Sequence, residues 1–233
     1  MRLHRCIPDW TCVRITEATD MAKPNRWWII KPVVVAACLL PTAWAIRVLW
    51  LAYQGLDPGV FGDPIKVVRE VTGIWTLRFL LITLAITPLR RLTGWSSLIR
   101  MRRMMGLLTF FQGAVHLAIY LWLDESFIMG EIVKDVIRRP FIASGMISLG
   151  LMVPLALTST KKWIGRLGGK RWQLLHRLIY FSGLAGVIHY YFYVKSDIRE
   201  PLAYAVLLTV LMGFRAWHVL RERGLRAAAT VGV

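Results

Sequence analysis

Six apolar runs, each near the length that crosses a bilayer, punctuate the chain, and the loops between them alternate in charge. A spanning helix needs about 20 predominantly apolar residues. Such runs are read at 28–53, 73–89, 104–123, 140–158, 172–194 and 201–220. Loop 90–103 carries Arg90, Arg91, Arg100, Arg102 and Arg103 and no acid. Loop 159–177 carries Lys161, Lys162, Arg166, Lys170, Arg171 and Arg177, again without an acid. The other three loops hold Asp57, Asp63, Glu70, Asp124, Glu125, Glu131, Asp135, Asp197 and Glu200. Basic loops stay on the cytoplasmic side. The expected fold is therefore all-α: a six-helix transmembrane bundle with both termini cytoplasmic.

Composition agrees and excludes rivals. Apolar residues make up 56% of 233, yet Lys and Arg outnumber Asp and Glu by 30 to 13, a net charge of +17. A soluble nucleic-acid binder this basic would be far less apolar, and the basic loops need only orient the chain. No nucleic-acid partner is expected; the surroundings are membrane lipid. The cysteines Cys6, Cys12 and Cys38 form no CxxC, which excludes a zinc ribbon and covalent haem attachment through CxxCH. Residues 1–27 read as an N-terminal cytoplasmic tail, 28–220 as the membrane domain and 221–233 as a C-terminal cytoplasmic tail. The tail lacks the pattern of a signal peptide, because Asp9, Glu17 and Asp20 interrupt any apolar run. Met21 opens MAKPNRWW, a short basic lead into the first run, and competes with Met1 as the start of translation.

An ionisable side chain inside a span is costly and marks function by default. His116 lies twelve residues beyond Met104, or about 18 Å into an outward-running helix. His189 lies seventeen residues beyond Trp172, or about 25 Å into another. Both fall in the outer half of the membrane, flanked by Gly113, Ala114 and Gly186, which permit close approach. Two imidazoles at matched depth on different helices make an axial pair for haem iron. His176 lies thirteen residues before His189, about 20 Å deeper. On an ideal helix the two histidines are about 140° apart, so Gly183 and Gly186 are candidate bend points if both serve one pocket. Opposite His176, the third span offers Arg102 and Arg103. Arginine stays protonated and is a poor iron ligand, but it suits a haem propionate or a flavin or quinol head group. Arg78, early in the second span, either meets a propionate of the outer haem or snorkels to the surface. The aromatic residues Trp27, Trp28, Trp50, Tyr53, Tyr190, Tyr191 and Tyr193 read as interfacial belts.

Four runs carry a family resemblance: TGIWTLRFLLITLAITPLRRLTG, LIRMRRMMGLLTFFQGAVH, RRPFIASGMISLGLMVPLALTST and LGGKRWQLLHRLIYFSGLAGVIHYYFYVKS. They resemble the MsrQ family, haem-binding membrane subunits of methionine sulfoxide reductase systems, over roughly residues 28–220. The wider group is the ferric-reductase-like transmembrane domain, whose members carry two histidines in each of two helices and hold two haems. This chain has His116, His176 and His189, with Arg102 or Arg103 at the fourth place, as is typical of the MsrQ branch. The resemblance implies b-type haem, one or two, with iron on His116, His189 and His176, and FMN at the cytoplasmic side. It also implies a periplasmic molybdopterin-containing methionine sulfoxide reductase subunit as acceptor, in the bacterial inner membrane. The nucleotide-binding domains of the wider group find no room in these residues, so the quinone pool or a separate cytoplasmic flavin reductase is the expected donor.

The expected role is thus an electron-transfer subunit of an oxidoreductase system, with no substrate chemistry of its own. One rival is a quinol-oxidising cytochrome b subunit of another complex. A second is a proton-coupled transporter that uses the intramembrane histidines as a relay, a class that favours internal repeats and interrupted helices. No clear repeat is present, although Pro41 and Pro154 interrupt spans.

Overall fold

The computed structural model describes residues 27–231, apart from 96–97, 125–127 and 195. The tail before residue 27, with Met21, His4, Cys6 and Cys12, lies outside the described residues. Among those described, the chain is helical, with no strand. The helices are α1 (Trp27–Tyr53), α2 (Pro64–Thr93), α3 (Leu98–Ile119, continued by a π-helical turn Tyr120–Asp124), α4 (Met129–Arg138), α5 (Pro140–Leu157), α6 (Lys161–Leu167), α7 (Gly169–Leu175), α8 (Leu178–Tyr193) and α9 (Arg199–Val231). Five of them (α1, α2, α3 with its π-turn, α5 and α9) are long and apolar enough to cross a membrane. The protein is a multi-pass membrane protein.

Three helices exceed their apolar runs, α3 by starting at Leu98. Helix α2 starts at Pro64, where the Asp63 carboxylate caps it by accepting from the Ile65 N–H at 3.0 Å. Its extra turns place Lys66, Arg69 and Glu70 on the helix that also carries Gly73. It ends at Gly94, whose positive φ of 73° lets its N–H reach the Arg90 carbonyl at 2.8 Å. Helix α9 runs on through the expected C-terminal tail to Val231.

The run at 172–194 is not one helix. It breaks at His176–Arg177, where the His176 ψ of −3° departs from helical geometry. The Trp172 indole N–H donates to the Thr158 carbonyl at 3.0 Å. That carbonyl follows the last turn of α5, where orphan acceptors need outside donors. Trp172 thus ties α7 to the end of α5 while α8 continues along it. Helix α8 keeps 16 residues, about 24 Å of rise, short of a hydrocarbon core of about 30 Å. Gly183 and Gly186 lie inside a continuous α8, so the bend expected there is replaced by the break before it.

Two helix pairs form the frame. Lipid tails are as apolar as leucine, so membrane helices associate through close packing and hydrogen bonds. Ser148 on α5 and Ser182 on α8 donate reciprocally to each other's carbonyls, both at 2.9 Å. Helices α2 and α3 meet at the buried Thr83 and Thr109, 3.3 Å apart. Leu80, Leu84, Met152, Ile179 and Leu208 join α2, α5, α8 and α9 in one apolar cluster. Helix α1 is attached through Thr42, which donates to Gln112 Oε1 at 2.6 Å; Gln112 Nε2 has no partner among the described residues. The short α4 is amphipathic, with Ile132 and Asp135 buried and Met129, Val133 and Ile137 exposed.

Ser182 is 0% exposed. Replacing it with leucine forces α5 and α8 apart at a cost of about 1–3 kcal/mol. A thermal scan in detergent should show a clear drop in midpoint for Ser182→Leu and little change for Phe181→Ala, whose side chain faces outward.

Candidate functional site

The two pairs of helices face each other across a cavity of about 630 Å³, within the range of small-molecule and cofactor sites. His116 of α3 and His189 of α8 both line it. Their ring centroids stand 6.2 Å apart with planes at 76°. Metal–imidazole bonds of about 2 Å, plus about 1 Å from nitrogen to ring centre, place two rings on opposite sides of one ion about 6 Å apart. The observed spacing matches that requirement.

Each ring is held by the same device. His116 Nδ1 lies 3.1 Å from the Arg69 carbonyl of α2. His189 Nδ1 lies against the Phe141 carbonyl of α5. A carbonyl only accepts, so both Nδ1 atoms carry the proton and both Nε2 atoms keep a free lone pair. A ligating histidine is oriented in this way by the bond its other nitrogen makes. Four residues after each carbonyl stands a glycine: Gly73 after Arg69, and Gly145 after Phe141. A Cβ on Gly73 would lie 2.9 Å from His116 Cε1, and one on Gly145 would lie 2.7 Å from His189 Nδ1. The missing side chains let each imidazole reach the backbone of the neighbouring helix.

The donor set fits an iron porphyrin better than a bare ion. Among the described residues no group of three or more His, Cys, Asp or Glu comes together. A structural zinc site wants four such ligands, whereas a porphyrin supplies four nitrogens and leaves two axial positions. The lining combines apolar side chains, Leu77, Leu80, Leu149 and Met152, with the charged Lys66, Arg69, Glu70 and Arg139.

The remaining expected site residues fall elsewhere. Arg78 does not line this cavity: its Nε donates to the Tyr204 hydroxyl at 2.9 Å and its guanidinium lies 5.0 Å from the centre of the Trp75 ring. His176 also stays outside. Its Nδ1 is 3.0 Å from the Trp172 carbonyl, and its ring stacks on Trp172 at 3.9 Å. Arg102 and Arg103 are its electrostatic neighbours, so those three residues form a separate basic group at the other end of the bundle.

Sequence reasoning missed several members of the site. Tyr190 and Tyr193, read as belt residues, line the cavity; their hydroxyls donate to Glu200 and Glu70, both at 2.7 Å. Gly73 and Gly145 carried a usable signal, since small residues in apolar helices mark close approach. Gly113 and Gly186 do pack closely, against Leu149 and Ser148 rather than against the rings.

A family model described as "Ferric reductase like transmembrane component" matches residues 72–187. That stretch holds His116 and His176 and ends two residues before His189. Over 208 residues the chain is 47% identical to a protein of Xanthomonas oryzae pv. oryzae (strain MAFF 311018), covering 89% of this chain and 95% of that one. It is 48% identical over 193 residues to a protein of Xanthomonas euvesicatoria pv. vesicatoria, covering 83% and 88%. It is 44% identical over 205 residues to one of Ralstonia nicotianae, covering 87% and 92%. All three relatives bear the name protein-methionine-sulfoxide reductase heme-binding subunit MsrQ.

The glycines provide a direct check. Gly73→Ala and Gly145→Ala each introduce about 1–3 kcal/mol of overpacking against an imidazole and should sharply lower bound haem per polypeptide. Gly150→Ala, where an added methyl meets nothing within 4 Å, should retain it. A pyridine haemochrome assay against protein concentration reads the difference.

Proposed function

The chain belongs to the MsrQ family of heme-binding subunits, and on that premise we propose that it carries electrons across the bacterial inner membrane through haem b held by His116 and His189. The acceptor is a periplasmic, molybdopterin-containing methionine sulfoxide reductase subunit. The donor is quinol or a reduced flavin such as FMN on the cytoplasmic side. One observation carries this reading: two imidazoles, both fixed as Nδ1–H tautomers by backbone carbonyls, share a cavity at 6.2 Å. A proton relay asks for rings that can exchange tautomers. Each ring here has its Nδ1 against a carbonyl, an arrangement that favours the Nδ1–H form and with it iron ligation over the transporter alternative.

When bound, haem supplies a one-electron couple whose potential responds to its axial ligands and surroundings. The chain's residues do the rest. Arg69 and Phe141 carbonyls fix the two rings. Gly73 and Gly145 admit them. Leu77, Leu80, Leu149 and Met152 keep water from the porphyrin face and lower the local dielectric.

In this reading α7 and α8 together complete a sixth crossing, with both termini cytoplasmic. The acid-free loops at 90–103 and 159–177 support that orientation. His176, Arg102 and Arg103 then lie at the cytoplasmic end, where electrons enter. A single haem at the outer pair is the count that the ligands support. Arginine offers no lone pair to iron, so His176 with Arg102 and Arg103 suits an anionic group such as a flavin phosphate.

His116→Ala and His189→Ala should each abolish the low-spin bis-imidazole spectrum of detergent-purified protein; a wild-type spectrum in both would remove the axial assignment. His176→Ala should keep most of that haem and slow its reduction from the cytoplasmic side in inverted vesicles. Loss of all haem in His176→Ala would show that the two ends are not separate.

A further inference from the structure

Haem b is an apolar disc with two carboxylates on one edge. In a low-dielectric site each carboxylate is costly unless a cation or strong donors meet it. We propose that Lys66, Arg69 and Arg139 form a carboxylate-binding rim on the His116–His189 cavity and receive the propionate edge of the porphyrin. The proposal rests on the haem reading above and goes beyond it, because it assigns which side chains hold the other end of the group.

The charged groups lining the cavity are unevenly distributed. Lys66, Arg69 and Arg139 stand against one carboxylate, Glu70. That carboxylate is already engaged, since it accepts from the Tyr193 hydroxyl at 2.7 Å. Arg69 and Glu70 are neighbours on α2, and Tyr193 of α8 reaches that turn through Glu70. Arg139 is held from behind: its Nη1 lies 3.1 Å from Asp135 Oδ2, and the Tyr120 hydroxyl donates to the same oxygen at 3.3 Å. Asp135 is buried and is not a lining residue, so it acts as a positioning residue for Arg139.

The rim and the iron ligands are built on the same helical turns. Arg69 supplies both a rim cation and the carbonyl that orients His116. Arg139 stands two residues before Phe141, whose carbonyl orients His189. A porphyrin gripped by the two imidazoles would therefore have its acidic edge met by cations fixed relative to those rings. Arg78, the cation the sequence offers for this task, is turned to Tyr204 instead.

The test compares haem with its dimethyl ester, which has the same ring and iron but no carboxylates. Full-length protein in membranes from haem-depleted cells is titrated with each porphyrin and followed by the Soret band. Wild type should bind haem at least about ten-fold more tightly than the ester, as one charge-assisted hydrogen bond predicts. Lys66→Gln/Arg139→Gln should lose most of that preference while keeping a bis-imidazole spectrum with either porphyrin. Lys66→Arg and Arg139→Lys, which keep the charges, should preserve it. The midpoint potential of bound haem should move negative in the double variant, because removal of cations disfavours the reduced form. A double variant that discriminates between the two porphyrins as wild type does would overturn the rim and leave the axial pair standing. Wild type that takes up neither porphyrin would overturn the haem reading itself. Should the double variant take up neither, the single variants Lys66→Gln and Arg139→Gln decide on the same comparison, and undiminished preference in both overturns the rim.

Discussion

The structure turns on two part-buried imidazole N–H groups that must find acceptors within an apolar bundle. Each finds a main-chain carbonyl already used in its own helix. A carbonyl oxygen has two lone pairs; helical bonding occupies one, and on its other side the imidazole is joined by a hydroxyl, that of Thr72 on Arg69 and that of Ser144 on Phe141. The second can be reached only if nothing projects from the residue one turn later, because side chains lean back toward the helix N-terminus and cover the preceding turn. Glycine at 73 and 145 removes that obstruction. The same solution on α2 and α5 places two rings on opposite walls of one cavity with the same tautomer.

Holding the rings at 6.2 Å requires that α2–α3 and α5–α8 stay in fixed register. Hydrophobic driving force gives little help between helices in lipid, so small polar side chains carry that task. Ser148 and Ser182 exchange bonds across the second pair, and Ser182 lies seven residues, about two turns, before His189. Thr83 and Thr109 occupy the equivalent place between α2 and α3, with Thr109 seven residues before His116. Each cavity histidine therefore sits two turns from a polar contact that fixes its helix.

Much of this was legible in the sequence. Apolar runs locate five long helices, and the two histidines that the sequence pairs, His116 and His189, line one cavity, although the depth of His189 was counted along a helix that is in fact broken. The break at His176–Arg177 was not legible, because apolar residues continue through it; its cause is the contact of Trp172 with the end of α5, made across 14 residues of chain. Helix α4 was hidden in an acidic loop too short to register as an apolar run. Lys66 and Arg69 were missed because charged residues end a hydropathy reading early, at Gly73, while the backbone remains helical from Pro64. Gly73 and Gly145 mark a close approach by their size alone, but which side chain crosses to them from another helix is not encoded in a single helix pattern.

The two ends of the bundle differ in the chemistry they offer. At one end both polar nitrogens are neutral donors with free Nε2 lone pairs, a set that binds a transition-metal ion without adding charge. At the other, His176 has its Nδ1 on the Trp172 carbonyl and its ring against the indole, with Arg102 and Arg103 as charged neighbours. Guanidinium groups attract anions and repel metal ions. The arginine end suits an anion, and the imidazole end suits a metal ion. The break in the helix between His176 and Leu178 separates the two environments, because it frees α7 to follow the end of α5 while α8 holds His189 in place.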